Sequence, residues 1–237
     1  MKNNNICVLE ADLPDKRLID EYGTYTQMIK NWLDKGGQVD EYLAVNVRNK
    51  GWQELINIEN IDIFIITGSR YSVNDDSVWI DELSQFIKYI WDKTNKKMLG
   101  ICFGHQIIAK AMNGKVAKNK YGWNVGANKY NIKKPYSAYF DNLNSLDLLV
   151  IHQEQIVKKP QIAKLIADND RCKYGVLLYA NRFLTIQAHP EFVGDFLQEL
   201  INKRDLTANI TGEDIFNKID SKQNKMTISF VDLLELN

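Results

Sequence analysis

Leu99-Gly100-Ile101-Cys102-Phe103-Gly104-His105-Gln106 decides how the rest of the chain is read. A short apolar strand over residues 97–101 runs straight into Gly-x-Cys-x-Gly, and a helix over 105–112 follows at once. A strand that turns directly into a helix around one nucleophilic side chain is a nucleophile elbow, here built on cysteine. Gly100 and Gly104 leave room for close backbone approach, so the Cys102 sulfur projects at the C-terminal end of the strand. The helix N-terminus beside it offers N–H groups and the positive end of a dipole, which favour a thiolate and can meet an oxyanion. The plainer reading of the same residues is a small buried cysteine between two glycines.

A cysteine nucleophile needs a base, and the chain holds three histidines, His105, His152 and His189. His189 is the best placed, because Thr185-Ile186-Gln187-Ala188 reads as the end of a buried strand and His189-Pro190-Glu191 follows at its tip. Glu191 can accept a hydrogen bond from the imidazole and fix its tautomer, the part an acid plays in a nucleophile, base and acid triad. The competing reading makes His-Pro-Glu a strand-to-helix turn with Glu191 near a helix N-terminus. His105 lies on the helix after the elbow and is expected to pack behind the site. His152 is expected in the substrate site or in a structural role, Cys7 in the core of an apolar strand, and Cys172 in no role.

Outward from the elbow, Ile6-Cys7-Val8-Leu9 and the run 61–66 are β-branched and nearly continuous in apolar residues, as strands buried on both faces of a parallel sheet are. Residues 22–33 carry Tyr22, Tyr25, Met28, Ile29, Trp32 and Leu33 at helical spacing, Gly36-Gly37 stops that helix, and 39–45 reads as a strand. Residues 78–91 repeat the helical period. The first half therefore alternates strand and helix, and predicts a mostly parallel central sheet with helices on both faces. After Gly114, candidate strands at 123–132, 148–152, 174–179 and 183–188 follow without long helices between them, which predicts an antiparallel section. Residues 191–201 read as helical. One domain over 1–237 is expected, with 203–237 a C-terminal extension whose packing the pattern leaves open.

Thirty basic and thirty acidic residues give a formal net charge of zero and are interspersed along the chain, which excludes the basic stripe of a nucleic-acid binder. Three widely spaced cysteines without Cys-x-x-Cys fit neither a disulfide framework nor a zinc site and point to a reducing compartment, the cytoplasm. The apolar stretch at residues 6–9 is broken by Glu10 and Asp12, so neither a signal peptide nor a membrane span is expected there. There is no phosphate-cradling Gly-x-x-x-x-Gly-Lys-Ser and no His/Asp/Glu cluster at metal spacing, so neither a metal nor a cofactor is expected.

Gly100 to Gln106 together with Gln187-Ala188-His189-Pro190-Glu191 resembles the class I glutamine amidotransferase family, in motif order and spacing, over roughly residues 6–200. The resemblance implies a doubly wound, flavodoxin-like α/β domain, a Cys102, His189 and Glu191 triad, and a γ-glutamyl thioester intermediate. It implies oxyanion donors at Gly68, in Ile66-Thr67-Gly68-Ser69 after the third strand, and at the backbone N–H of Phe103. Ser69 and Gln106 then face the substrate, and Ile151-His152-Gln153-Glu154-Gln155 matches the segment that holds the substrate's α-amino group. The loop over residues 68–75 followed by Trp79-Ile80 is most similar to the stand-alone GMP-synthase-like branch, which includes γ-glutamyl peptidases. Three departures bear on the substrate and not on the triad: the loop lacks a Gly-Gly pair, Glu154 replaces an aspartate, and Asn124 stands where Trp-Glu-x-Gly has an acid.

The implied activity is hydrolysis of glutamine or of a γ-glutamyl compound, yielding glutamate and ammonia or an amine. An ammonia donor would serve a synthase partner, whereas a γ-glutamyl peptidase acting on glutathione-like substrates needs none. A non-catalytic binding protein on the same fold is the remaining alternative, opposed by the intact Cys, His and Glu. A cysteine-bearing α/β-hydrolase is disfavoured because its acid precedes the histidine along the chain.

Overall fold

Alternate residues of the first strand, β1 (Asn4–Glu10), enter opposite sides of the molecule: Ile6 and Val8 join one apolar cluster, Cys7 and Leu9 another. That is why the strand reads as an unbroken apolar run, since both faces of a central parallel strand are covered. The computed structural model describes residues 4–33, 39–140 and 142–207. The expected helix stop at Gly36-Gly37, and residues 208–237 of the C-terminal extension, lie outside the described residues.

β1 is followed by α1 (Lys16–Tyr22), α2 (Tyr25–Leu33), β2 (Val39–Asn46), β3 (Ile63–Ile66), α3 (Val78–Lys93), β4 (Lys97–Ile101) and α4 (Phe103–Ala111). The remainder is β5 (Lys115–Lys118), β6 (Asn124–Ile132), β7 (Ser145–His152), β8 (Glu154–Lys158), β9 (Ala163–Asp168), β10 (Val176–Tyr179), β11 (Phe183–Ile186) and α5 (Gly194–Lys203). Nine strands form one sheet in the order β2-β1-β3-β4-β11-β10-β9-β6-β7, and β5 pairs with β8 in a separate antiparallel ribbon. Neighbouring strands from β2 to β11 run parallel, and those from β11 to β7 antiparallel. The mostly parallel first half and the antiparallel second half are as the patterns predict.

The helical faces also follow the spacing. α3 buries Ile80, Leu83, Phe86, Ile87 and Ile90, and α2 buries Met28, Ile29, Trp32 and Leu33 against the sheet. The single helix expected over 22–33 is instead two. Gly23, at φ 86°, closes α1 by donating to Ile19 O, and α2 restarts behind a reciprocal cap. Thr24 N donates to Gln27 Oε1 at 2.7 Å, and Gln27 N donates to Thr24 Oγ1 at 3.2 Å, a capping box that occupies N–H groups a helix leaves unpaired. α4 starts at Phe103, immediately after the elbow, and α5 starts at Gly194, so Glu191 precedes that helix instead of opening it. The short strands β5, β8 and β9 carry no strong sequence pattern and are additions to the expected set.

Candidate active site

The elbow is held from both flanks. Cys102 sits at φ 50° and ψ −98°, a conformation that a non-glycine residue adopts only when its surroundings impose it. Cys102 N donates to Ile186 O at 2.8 Å, at the end of β11, and Gly104 N donates to Thr67 O at 3.2 Å, just beyond β3. Both glycines are required sterically. A Cβ on Gly104 would lie 2.3 Å from Ile66 O, and one on Gly100 would lie 2.6 Å from the Gly104 backbone. The candidate residues thus gather at the C-terminal ends of three adjacent parallel strands, β3, β4 and β11, the edge at which open α/β sheets place their sites.

His189 follows β11 by three residues and is fixed by its own backbone, whose N–H donates to Leu149 O at 2.8 Å. Its ring lies parallel to Phe192, with centroids 4.0 Å apart. His189 Nδ1 is 2.8 Å from Glu191 Oε1, and both side chains are almost fully buried. Burial works against a charge on this imidazole, but Glu191 and a hydrogen bond to the Cys102 sulfur outweigh it and raise its pKa to about 10. The ring thus lies between a carboxylate and a sulfur, and both favour its charged form. The helix-capping alternative for Glu191 does not match this geometry, because the N-cap of α5 is Val193 and the Glu191 carboxylate faces His189.

Gly68 belongs to the same cluster, since a Cβ there would come within 2.7 Å of His189 Cε1 and 3.7 Å of Cys102 Cβ. Thr67 fixes the loop: its hydroxyl accepts from Ala11 N at 3.0 Å and donates to Gly68 O at 3.0 Å. Phe103 is the first residue of α4, so its N–H has no acceptor within the helix and adjoins the sulfur. Arg70 ties the rest of the loop down through Asp12, with Nε 2.7 Å from Oδ2.

A cavity of about 210 Å³ opens over Cys102, lined by Ser69, Tyr71, Ser72, Phe103, Gln106, Trp123, His152 and Glu154, with Arg70, Lys118 and Arg204 also on its wall. The Ser69 hydroxyl turns to the loop backbone, donating to Ala11 O at 3.3 Å and accepting from Tyr71 N at 3.1 Å. Gln106 Nε2 donates to Glu154 O at 2.8 Å and to Gln187 Oε1 at 3.1 Å, which leaves its oxygen available to a ligand. The Glu154 carboxylate accepts from the Ser72 hydroxyl at 2.6 Å. A larger cavity of about 750 Å³, lined by Lys88, Trp91, Met112 and Lys158, has no cysteine, serine, threonine or histidine on its wall.

The other two histidines are neutral, for a legible reason. Burial lowers His152 to about 4 and His105 to about 3. His152 Nδ1 lies 3.0 Å from Glu154 O, which can only accept, so the proton is on Nδ1 and Nε2 needs a donor. Asn124 Nδ2, at 3.1 Å, supplies it, and a carboxylate at position 124 could not. The amide at Asn124, in place of the acid of Trp-Glu-x-Gly, is thereby matched to the tautomer of His152. His105 donates from Nε2 to Tyr174 O at 2.9 Å and accepts from Thr185 Oγ1 at 2.7 Å, packing behind the elbow as expected.

Several residues at the site go beyond those singled out from the sequence. Gln187 points its amide at the Cys102 sulfur, Ser72 meets Glu154, and Arg204 reaches the cavity from the end of α5. Gln187 carries a readable signal: Thr185 and Gln187 are polar residues at alternate positions around a buried strand end, and buried polar side chains require partners. Arg204 carries none. Among the described residues, no group of three or more His, Cys, Asp or Glu is arranged to hold a metal, and no helix is long and apolar enough to cross a membrane.

Known proteins resemble this chain in sequence and in fold. The family described as "Glutamine amidotransferase class-I" matches residues 17–204. Gamma-glutamyl peptidase 4 of Arabidopsis thaliana is 34% identical over 188 residues, covering 77% of this chain and 73% of its own. Gamma-glutamyl peptidase 2 of the same plant is 31% identical over 196 residues, covering 80% of this chain and 77% of its own. Among solved structures, a glutamine amidotransferase from Thermotoga maritima superposes with a TM-score of 0.76 at 14% identity, covering 99% of this chain and 100% of that one, a likeness of fold.

Proposed function

This chain belongs to the class I glutamine amidotransferase family, and from that premise we propose that it hydrolyses a γ-glutamyl amide through a thioester on Cys102. The observation that carries the reading is the buried line from Glu191 through His189 to the Cys102 sulfur. The Cys102 proton resides on His189, and the thiolate attacks the δ-carbonyl carbon of the substrate. The oxyanion meets the Phe103 N–H at the start of α4 and the backbone near Gly68. As the tetrahedral adduct collapses, His189 gives its proton to the departing nitrogen, which leaves as ammonia or an amine. His189, now neutral, takes a proton from water, whose oxygen attacks the thioester, and glutamate leaves as the thiolate and imidazolium re-form. Glu191 keeps the proton-bearing Nδ1 of the ring oriented through both steps.

In this reading the α-amino group of the glutamyl moiety sits by the Glu154 carboxylate, at the segment that also carries His152, and the Gln106 oxygen accepts from the same moiety. Ser69 contributes by shaping the loop. With Cys7, Cys102 and Cys172 all unpaired, a reducing compartment, the cytoplasm, is the assigned setting.

One observation favours a peptide-like substrate over free glutamine. Lys118 and Arg204 stand on the wall of the cavity that holds Cys102, together with Arg70; the α-carboxylate of glutamine would use one such charge, and ammonia as leaving group would use no second. A leaving amine that carries a carboxylate would. A peptidase of this kind needs no partner, whereas a glutaminase would hand its ammonia to a synthase. A panel of glutamine, γ-glutamyl dipeptides and glutathione conjugates, scored for glutamate and ammonia, tests both readings. Glutamate without ammonia from the dipeptides supports the peptidase, and no glutamate from any of them removes the proposal.

A further inference from the structure

We propose that Gln187 is a positioning residue for Cys102, its amide N–H holding the sulfur at the end of a hydrogen-bond relay that begins at the backbone carbonyl of Glu154. The assignment rests on the reading of Cys102 as nucleophile and adds a residue to it.

The direction of the relay follows from its first member. Side-chain amides can be turned end for end unless something forces their orientation. Here a backbone carbonyl does. Glu154 O only accepts, so the Gln106 atom at 2.8 Å is the NH2 group. The second hydrogen of that NH2 reaches Gln187 at 3.1 Å, so the Gln187 atom there must be the oxygen. That leaves the Gln187 NH2 group facing Cys102 Sγ, at 3.5 Å. Gln187 is fully buried and its backbone N donates to Gly175 O at 2.9 Å, so the side chain is anchored at its base as well.

A donor aimed at sulfur distinguishes between two states of the nucleophile. It stabilises a thiolate, which accepts strongly, more than a thiol or a thioester sulfur, which accepts weakly. Gln187 thus favours a thiolate at Cys102 over the thiol or the thioester. His189 lies on the same sulfur, so the sulfur has two donors from the segment after β11. The relay also runs from Glu154, the residue assigned to the substrate's α-amino group, to the reacting atom.

The test is the pH dependence of Cys102 alkylation by iodoacetamide, without substrate, in wild type, Gln187→Met and Gln187→Glu, with melting temperatures alongside. Gln187→Met removes the donor and keeps the shape. Gln187→Glu still accepts from Gln106 but turns an oxygen toward the sulfur. The inflection of the alkylation profile should rise by about one to two pH units in Gln187→Met and further in Gln187→Glu. A residue that only packs would lower the melting temperature and leave the inflection in place, and that result overturns the assignment. If either variant fails to fold, the wild-type side-chain amide resonance of Gln187 serves instead. It should shift when Cys102 is replaced by alanine, and an unmoved resonance overturns the proposal. The functional reading fails separately: Cys102 would then be no more reactive than a buried thiol in the wild type, which sinks both.

Discussion

His189 Nδ1 and Glu191 Oε1 lie 2.8 Å apart in a setting from which water is nearly excluded, two residues from each other across Pro190. The short spacing places acid and base on one turn, so the orientation of the imidazole depends on this contact. Glu191→Gln retains a group of the same size and an acceptor, but removes the charge that stabilises the imidazolium. The rate is expected to fall about 10²- to 10⁴-fold with little change in melting temperature, against near-total loss for His189→Ala. Full activity with a lowered melting temperature would remove Glu191 from the site.

Two glycines near the sulfur separate activity from folding. Gly68→Ala places a methyl group 2.7 Å from His189 Cε1, so the imidazole must shift. Turnover should drop on the order of 10²-fold while stability changes by about 1–3 kcal/mol. Gly104→Ala drives its methyl group to 2.3 Å from a backbone oxygen, Ile66 O, which cannot swing aside. That variant should be recovered largely unfolded, and a stable, active Gly104→Ala enzyme would contradict the packing described.

The histidines give the stability a pH dependence of definite sign. His105 and His152 have folded pKa values lowered to about 3 and about 4 from 6.5, so the unfolded chain binds more protons below pH 6.5. Their contribution is complete above pH 6.5 and is lost as pH falls, each at about 1.4 kcal/mol per pH unit, until its folded value is reached. His189, raised to about 10, behaves oppositely: its contribution is complete below pH 6.5 and is lost as pH rises through about 10. Imidazole nitrogen shifts should report His105 and His152 neutral at pH 6 and His189 charged at pH 8. Ordinary titration of all three near 6.5 would refute the electrostatic description.

The elbow and the His189 segment are legible in the sequence because each residue there does a job that few others can. Gly100 and Gly104 are fixed by approach distances a Cβ would violate, and Cys, His and Glu are side-chain types that the proposed chemistry requires. The apolar runs of β1 and β3 are legible because burial on both faces leaves no polar position. The break between α1 and α2 is not, since Tyr22 and Tyr25 both keep the apolar period and only the Thr24 and Gln27 cap interrupts it. Arg204 and Ser72 come to the cavity through tertiary folding from the end of α5 and the loop after β3, so no local pattern marks them.

Cys102, alone among the three cysteines, is the proposed nucleophile. Burial pushes the Cys7 and Cys172 thiols up to about 12, which leaves them unreactive, whereas Cys102 has His189 and a helix N-terminus beside its sulfur. Peptide mapping after treatment with a diazo-ketone analogue of glutamine is the most direct measurement. A single adduct on Cys102, forming in step with loss of turnover and absent from Cys102→Ala, is the predicted result. An adduct on Cys7 or Cys172, or undiminished turnover in pure Cys102→Ala, would contradict it.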